Sequence, residues 1–216
     1  IFSSFFNPRK TQEGREMRQT SKAPSKREQL LRTAVELFTK NGIHATGIDT
    51  IVEQSGVTKK TLYAHFHSKE ELVLAALRQY DGEFRKFFMQ QVEAKGRTPK
   101  ARLLAIFDVA EAWFRQNNFY GCMFIKAVGE HSEPDTILRQ VCADFKRLMG
   151  EYIQELCVNV GARDPQRLAE ELALLLEGAI VTAQVSQKPE AAKIAKRAAE
   201  VLITESLTGI AKSVKE

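Results

Sequence analysis

The sequence predicts an all-α protein, with a small N-terminal three-helix head that contains a helix-turn-helix and a larger helical body behind it, about nine helices in all. Three observations predict this. Apolar residues recur every three to four positions almost throughout, the period of helices buried along one face, and the apolar–polar alternation of a half-buried strand is nearly absent. Capping residues and Gly or Pro breakers punctuate that period at short intervals in the first third and longer ones afterwards. The charge is also lopsided: residues 1–80 carry 13 Lys and Arg against 8 Asp and Glu, while residues 81–216 carry 19 of each. A basic first third and a neutral remainder suit a head that faces an anionic polymer and a body that does not.

The elements follow in order. Residues 1–24 read as a flexible N-terminal extension. The opening IFSSFFNPRKTQEGREM lacks the long apolar region of a secretion signal, and Met17 is a candidate start. The head is expected over residues 25–70 and the body over 71–216. From Ser25, the stripe Leu30, Leu31, Ala34, Val35, Leu37, Phe38 makes the first helix, stopped by Asn41-Gly42. Thr46 with Asp49 reads as a capping box opening a short second helix, with Ile48, Ile51 and Val52 inward, ended by Ser55-Gly56. Val57 anchors a tight turn, Thr58 caps a third short helix, and Leu62 and Phe66 are its core positions. Ser68 and Glu71 cap a long fourth helix to about Ala94. Thr98-Pro99 starts a fifth that ends near Asn117-Asn118, and a sixth runs from about Phe119 to Gly129. The seventh is expected from Pro134 to Val160, the eighth from Asp164-Pro165 to about Gln187, and the ninth from Pro189 to about Ala211.

Function concentrates in residues 25–71. Two short helices joined by a Gly-containing turn, the second bearing exposed cations and hydroxyls, form the geometry that sets a helix into the major groove. The Thr58-capped amides point at anions; Lys59 and Lys60 bring charge to the leading end, and Thr61 can bond base or phosphate. Tyr63 and His65 carry donors on the outer face, and Lys69 lies at the start of the next helix.

The stretch GVTKKTLYAHFHSKEEL at 56–72 resembles the recognition helix of the TetR family of bacterial transcriptional regulators (TetR/AcrR type): Gly-Val turn, capping threonine, Thr-Leu-Tyr, a closing aromatic, then Ser-Lys-Glu-Glu-Leu. By that resemblance Thr46, Thr58, Thr61, Tyr63, His65 and Lys69 bind phosphates and Lys59, Lys60 and Thr61 read bases. Two residues depart from the family pattern. Lys60 stands where glycine is frequent, which bears on operator preference, and Val52 stands where alanine is usual, which bears only on packing.

In the body, Leu168, Leu172, Leu175, Ala179 and Ala183 on the eighth helix, with Ile194, Ala198, Val201 and Leu202 on the ninth, form apolar stripes. Paired across a two-fold axis they would give the four-helix dimer interface that the resemblance implies. Packing within one subunit is the other reading of the same stripes. Helices five to seven are rich in aromatic and sulfur-bearing side chains, and the resemblance implies a ligand pocket there, with Phe107, Phe114, Met123, Phe145 and Met149 as a group its candidate lining; ordinary core is the other reading of each residue singly. Glu177 interrupts an apolar helix and either meets a cationic ligand, pairs with an arginine or caps a neighbouring helix.

Other function classes find little support. With 44% hydrophobic and 27% charged residues the chain can bury a core, and its apolar runs fall far short of the roughly 18 residues that cross a membrane. An odd count of 3 cysteines without an export signal speaks for buried thiols in the cytoplasm, with a redox switch as the alternative, rather than a disulfide framework. There is no phosphate loop, nucleophile elbow or metal-ligand cluster, so no catalytic residue, metal or cofactor is expected. The sequence therefore points to a non-enzymatic, ligand-responsive regulator, a repressor that binds a near-palindromic operator as a homodimer and answers to a small-molecule effector. A DNA-binding or helical interaction module without regulation is the alternative.

Overall fold

The structure, a computed structural model, describes residues 24–131 and 133–208. The expected N-terminal extension lies outside the described residues except for Pro24. Among the described residues all regular structure is helical: α1 Lys26–Asn41, α2 Ile48–Ser55, α3 Lys59–His65, α4 Lys69–Lys95, α5 Pro99–Phe114, α6 Met123–Glu130, α7 Ile137–Asn159, α8 Pro165–Ser186 and α9 Ala191–Thr208. The chain divides into two compact units, the first ending at Ala76 and the second beginning at Leu77, so the division falls inside α4. None of the described helices is long and apolar enough to cross a membrane.

The first unit is organised by its caps. Ser25 and Glu28 form a reciprocal capping box on α1, each side chain bonded to the other's amide, at 3.2 and 2.7 Å. Gly42 ends that helix and Gly56, left-handed at φ 64°, ends α2; the αL conformation is where a side chain would be strained. Leu30, Phe38, Ile51, Leu62, Phe66 and Leu72 are completely buried and bring α1, α2, α3 and the first turns of α4 onto one small core. Arg27 lies over the Phe66 ring at 5.2 Å, tying the start of α1 to the end of α3.

The capping box expected at Thr46 and Asp49 does not form. Gly47 occupies the cap position of α2 without a side-chain bond. Thr46 is 1% exposed, and its hydroxyl donates to the Gly42 carbonyl at 2.6 Å, so it braces the turn after α1 instead.

In the second unit α8 packs against α7 and α9, and α5 against α7, α8 and α9. Thr98, Thr136 and Asp164 cap α5, α7 and α8 through their side chains. Lys196 bonds both oxygens of Asp108 at 2.7 Å, and Arg115 bridges Glu111 and Glu190, so charged pairs pin α9 to α5. A continuous aromatic cluster fills the interior: Phe84 against Trp113 at 5.0 Å, and Phe124 stacked on Phe145 at 3.9 Å.

Four boundaries differ from the sequence reading, each for a local reason. The fifth helix stops at Phe114 because Arg115, Gln116 and Phe119 bond back as successive turns. The sixth begins at Met123 rather than Phe119 because Gly121, at φ 84°, breaks the helical path. The seventh begins after Thr136 rather than at Pro134, with Asp135 left-handed at φ 58°. The ninth begins at Ala191, past a turn at Pro189 and Glu190, with Gln187 left-handed at φ 52°. Its expected end near Ala211 lies outside the described residues.

Candidate nucleic-acid interface

Burying Leu62 fixes which face of α3 is free. With Leu62 completely enclosed, Lys59, Lys60, Tyr63 and His65 are exposed, and Tyr63 keeps 44% of its surface in water although it is a large aromatic. Thr58 is fully engaged in capping: its hydroxyl accepts the Thr61 amide at 3.2 Å and lies 2.9 Å from the Thr61 hydroxyl. The two threonines thus form one unit at the leading end of the helix, turned to solvent on one side. Lys69, the first residue of α4, is half-buried beside them in sequence but not enclosed.

The two lysines are not equivalent. Lys59 makes a 2.8 Å ion pair with Asp49 of α2, and that carboxylate holds its ammonium above the ordinary lysine range. Both partners are largely exposed, so the pair contributes little to stability, but it sets the direction of the Lys59 side chain. Asp49 is the residue that sequence reasoning assigned to a cap and that the structure pairs instead with Lys59 of α3. Nothing in its spacing to Lys59, ten residues away across a turn, would have revealed this. Thr46, by contrast, presents no side-chain surface to a phosphate and leaves the set of candidate contacts.

The expected ligand-pocket residues separate into two groups. A cavity of about 40 Å³ in the second unit is lined by Phe145, Met149 and Glu177 of the expected set, together with Phe84 and Phe88 of α4 and Trp113 of α5. Phe107, Phe114 and Met123 are buried but belong to the surrounding core rather than to the lining. Glu177 pairs with Lys146 at 2.9 Å, so it forms an ion pair in this structure, with a lysine rather than the expected arginine. Cys122 lines the cavity, and Cys142 and Cys157 are buried; burial pushes the last two thiols up to about 11 and about 12. Among the described residues no group of three or more His, Cys, Asp or Glu could hold a metal ion.

The expected dimer face requires a correction on α8. Leu168, Leu172, Ala179 and Ala183 are buried within their own subunit and Leu175 is half-buried, so this stripe is intramolecular core. The apolar face left open is offset around the helix: Leu174 at 74% exposed, Gly178, Val181 and Val185 at 77%, spaced as one stripe. On α9, Ile194, Ala198 and Val201 of the expected set are exposed and Leu202 is half-buried. Both faces of α8 are apolar, and periodicity alone does not say which one the subunit keeps.

Comparison with known proteins bears on both units. Residues 30–76 match the family model described as bacterial regulatory proteins, tetR family. The uncharacterized HTH-type transcriptional regulator YxaF of Bacillus subtilis is 31% identical over 166 residues, 75% of this chain and 86% of that protein. The HTH-type transcriptional activator FasR of Mycolicibacterium smegmatis is 49% identical over 55 residues, 26% of this chain and 25% of that one. Among solved structures, SCO4454, a TetR-family transcriptional regulator from Streptomyces coelicolor, aligns with a TM-score of 0.77 at 27% identity, covering 84% of this chain and 95% of its own.

Proposed function

Because the chain belongs to the TetR family of bacterial transcriptional regulators, we propose that it is a cytoplasmic, ligand-responsive repressor that binds a near-palindromic operator as a homodimer. The family is one of DNA-binding regulators rather than enzymes, and the chain is a transcriptional regulator of that family. The observation that carries the finer reading is the outer face of α3, where Lys60, Tyr63 and His65 are solvent-facing on a helix whose other side is locked into the core.

In the proposed complex α3 enters the major groove. Lys60 and the Thr58–Thr61 unit reach base edges and phosphates, Lys59 is aimed by Asp49, and Tyr63, His65 and Lys69 position the head on the backbone. A palindrome needs two heads about 34 Å apart, one turn of DNA. The exposed stripes of α8 and α9 supply the pairing surface for two copies. The ligand acts through α4, which closes the first unit's core with Leu72 and, further along, lines the cavity with Phe84 and Phe88. A ligand that binds one disposition of α4 better than another changes operator affinity; equal affinity for both would change nothing.

The test is a gel-shift at controlled salt against the DNA flanking the protein's own gene, with Tyr63→Ala, Lys69→Ala alongside. A discrete complex on a near-palindromic site, poorly competed by unrelated DNA and weakened in the variant, supports the reading. Binding that falls evenly on all DNA as salt rises marks a non-regulatory DNA-binding module instead.

A further inference from the structure

On the reading of the second unit as ligand-sensing, we propose that its ligand is a small apolar carboxylate, a short acyl chain or single ring whose acid group takes Lys146 from Glu177. The cavity's size and composition set these limits. About 40 Å³ has room for roughly three waters, so the apolar body is short, and flexible Met149 is the side chain best able to yield to it. Phe84 packs on Trp113 at 5.0 Å and on Phe145 at 6.1 Å, giving a hard aromatic wall. Apart from the Trp113 indole and the Cys122 thiol, the lining offers side-chain polar atoms only on Lys146 and Glu177. A ligand's polar group therefore exchanges with one partner of that ion pair.

The exchange favours an anion. Lys146 is the more enclosed partner, 30% exposed against 43% for Glu177, and its ammonium lies over the Phe145 ring at 5.9 Å. A cationic ligand would have to expel that ammonium from its ring. An anionic ligand has only to turn the freer carboxylate out into water, and a partly exposed pair resists this weakly.

Gly150 supplies the room. It lies one turn after Lys146, inside α7 and on the cavity wall, and a Cβ built there would meet nothing within 4 Å. Neither backbone conformation nor a close neighbour requires glycine at this point, and a glycine inside a helix weakens it relative to alanine. Its effect is to leave this part of the cavity wall open, one helical turn from Lys146, where a larger side chain would take up volume.

Trp113 is the single tryptophan of the chain and lines the cavity, so its fluorescence reports occupancy directly. Full-length protein is titrated with hexanoate, 1-hexanol and hexylammonium, which share a chain and differ only in head group. Hexanoate is expected to bind about tenfold or more tighter than hexanol, the scale of a charge-assisted hydrogen bond, with hexylammonium weakest. Lys146→Met should level hexanoate with hexanol, and Gly150→Leu should lose all three ligands. Glu177→Gln should tighten hexanoate, a gain that a folding defect cannot imitate. Equal affinities for the three head groups, a preference for hexylammonium, or no gain in Glu177→Gln overturns the proposal. If the protein selects no operator in the gel-shift but prefers hexanoate, the regulator reading falls and this one stands; a working operator without head-group preference does the reverse.

Discussion

The two units place their polar groups in opposite ways. In the first, the side chains proposed to matter stand outside a completed core: Lys60, Tyr63 and His65 project from α3 while Leu62 and Phe66 close the interior behind them. In the second, an aromatic interior is left incomplete, and the few polar groups at its gap, Lys146 and Glu177, satisfy one another. A surface that reads a polymer needs its donors presented in a fixed direction, and short capped helices on a small core provide that. A cavity that holds a small molecule needs volume withheld from packing, and long helices can withhold it at one level without losing contact at others.

If each unit has its own core, the largest effect should come from Phe38→Ala. Truncating this fully buried ring is expected to cost about 3–5 kcal/mol. Denaturant unfolding should then show the first unit melting ahead of the second; a single shifted transition would mean that the two units unfold as one. The offset face of α8 is probed next. Leu174→Arg with Val185→Arg should give monomers by sedimentation velocity with the helical circular dichroism spectrum unchanged, because both side chains are about three-quarters exposed in the subunit. An unchanged dimer would return the interface to another surface.

Within the head, Lys60→Ala is expected to lose about 1–3 kcal/mol of operator affinity and to relax preference at one base pair. Asp49→Asn should act in the other direction on unrelated DNA. Releasing Lys59 strengthens non-specific binding and steepens its dependence on salt, read as the slope of log affinity against log salt. The smallest effect is chemical. The Cys142 and Cys157 thiols, raised by burial, should stay unreactive toward iodoacetamide at pH 8 until the chain unfolds. Their folded values lie above the reference value of 9.0, so the protonated form is favoured by folding. That contribution is complete below about pH 9 and declines as pH rises toward 11–12, and melting temperature should fall over that window.

The three short helices of the head were legible in the sequence because their signals are local. Ser25, Thr58 and Ser68 cap over three positions, Gly56 demands a left-handed turn, and the spacing of Leu62 and Phe66 fixes the outer face of α3. Thr46 misled for the same reason: a threonine three residues before an aspartate has the form of a box, but its hydroxyl found a carbonyl of the preceding turn. In the body the helices were legible and the site was not. The cavity joins α4, α5, α7 and α8, so Phe84 and Lys146 become neighbours of Glu177 only after folding, and nothing distinguishes a lining phenylalanine such as Phe145 from a packed one such as Phe107 beforehand. On α8 the pattern carried two apolar faces, and the more continuous one went inside.

The open stripe from Leu174 to Val185 has a consequence for how variation in this protein would accumulate. In a two-fold pair each changed residue is present twice at one seam, so a substitution that is mild in a single copy acts at twice its size on assembly. The apparent thermal stability of the pair also rises with the amount of protein in the tube, by mass action. If two copies pair through this stripe, the chain cannot be assigned one melting temperature without a concentration beside it.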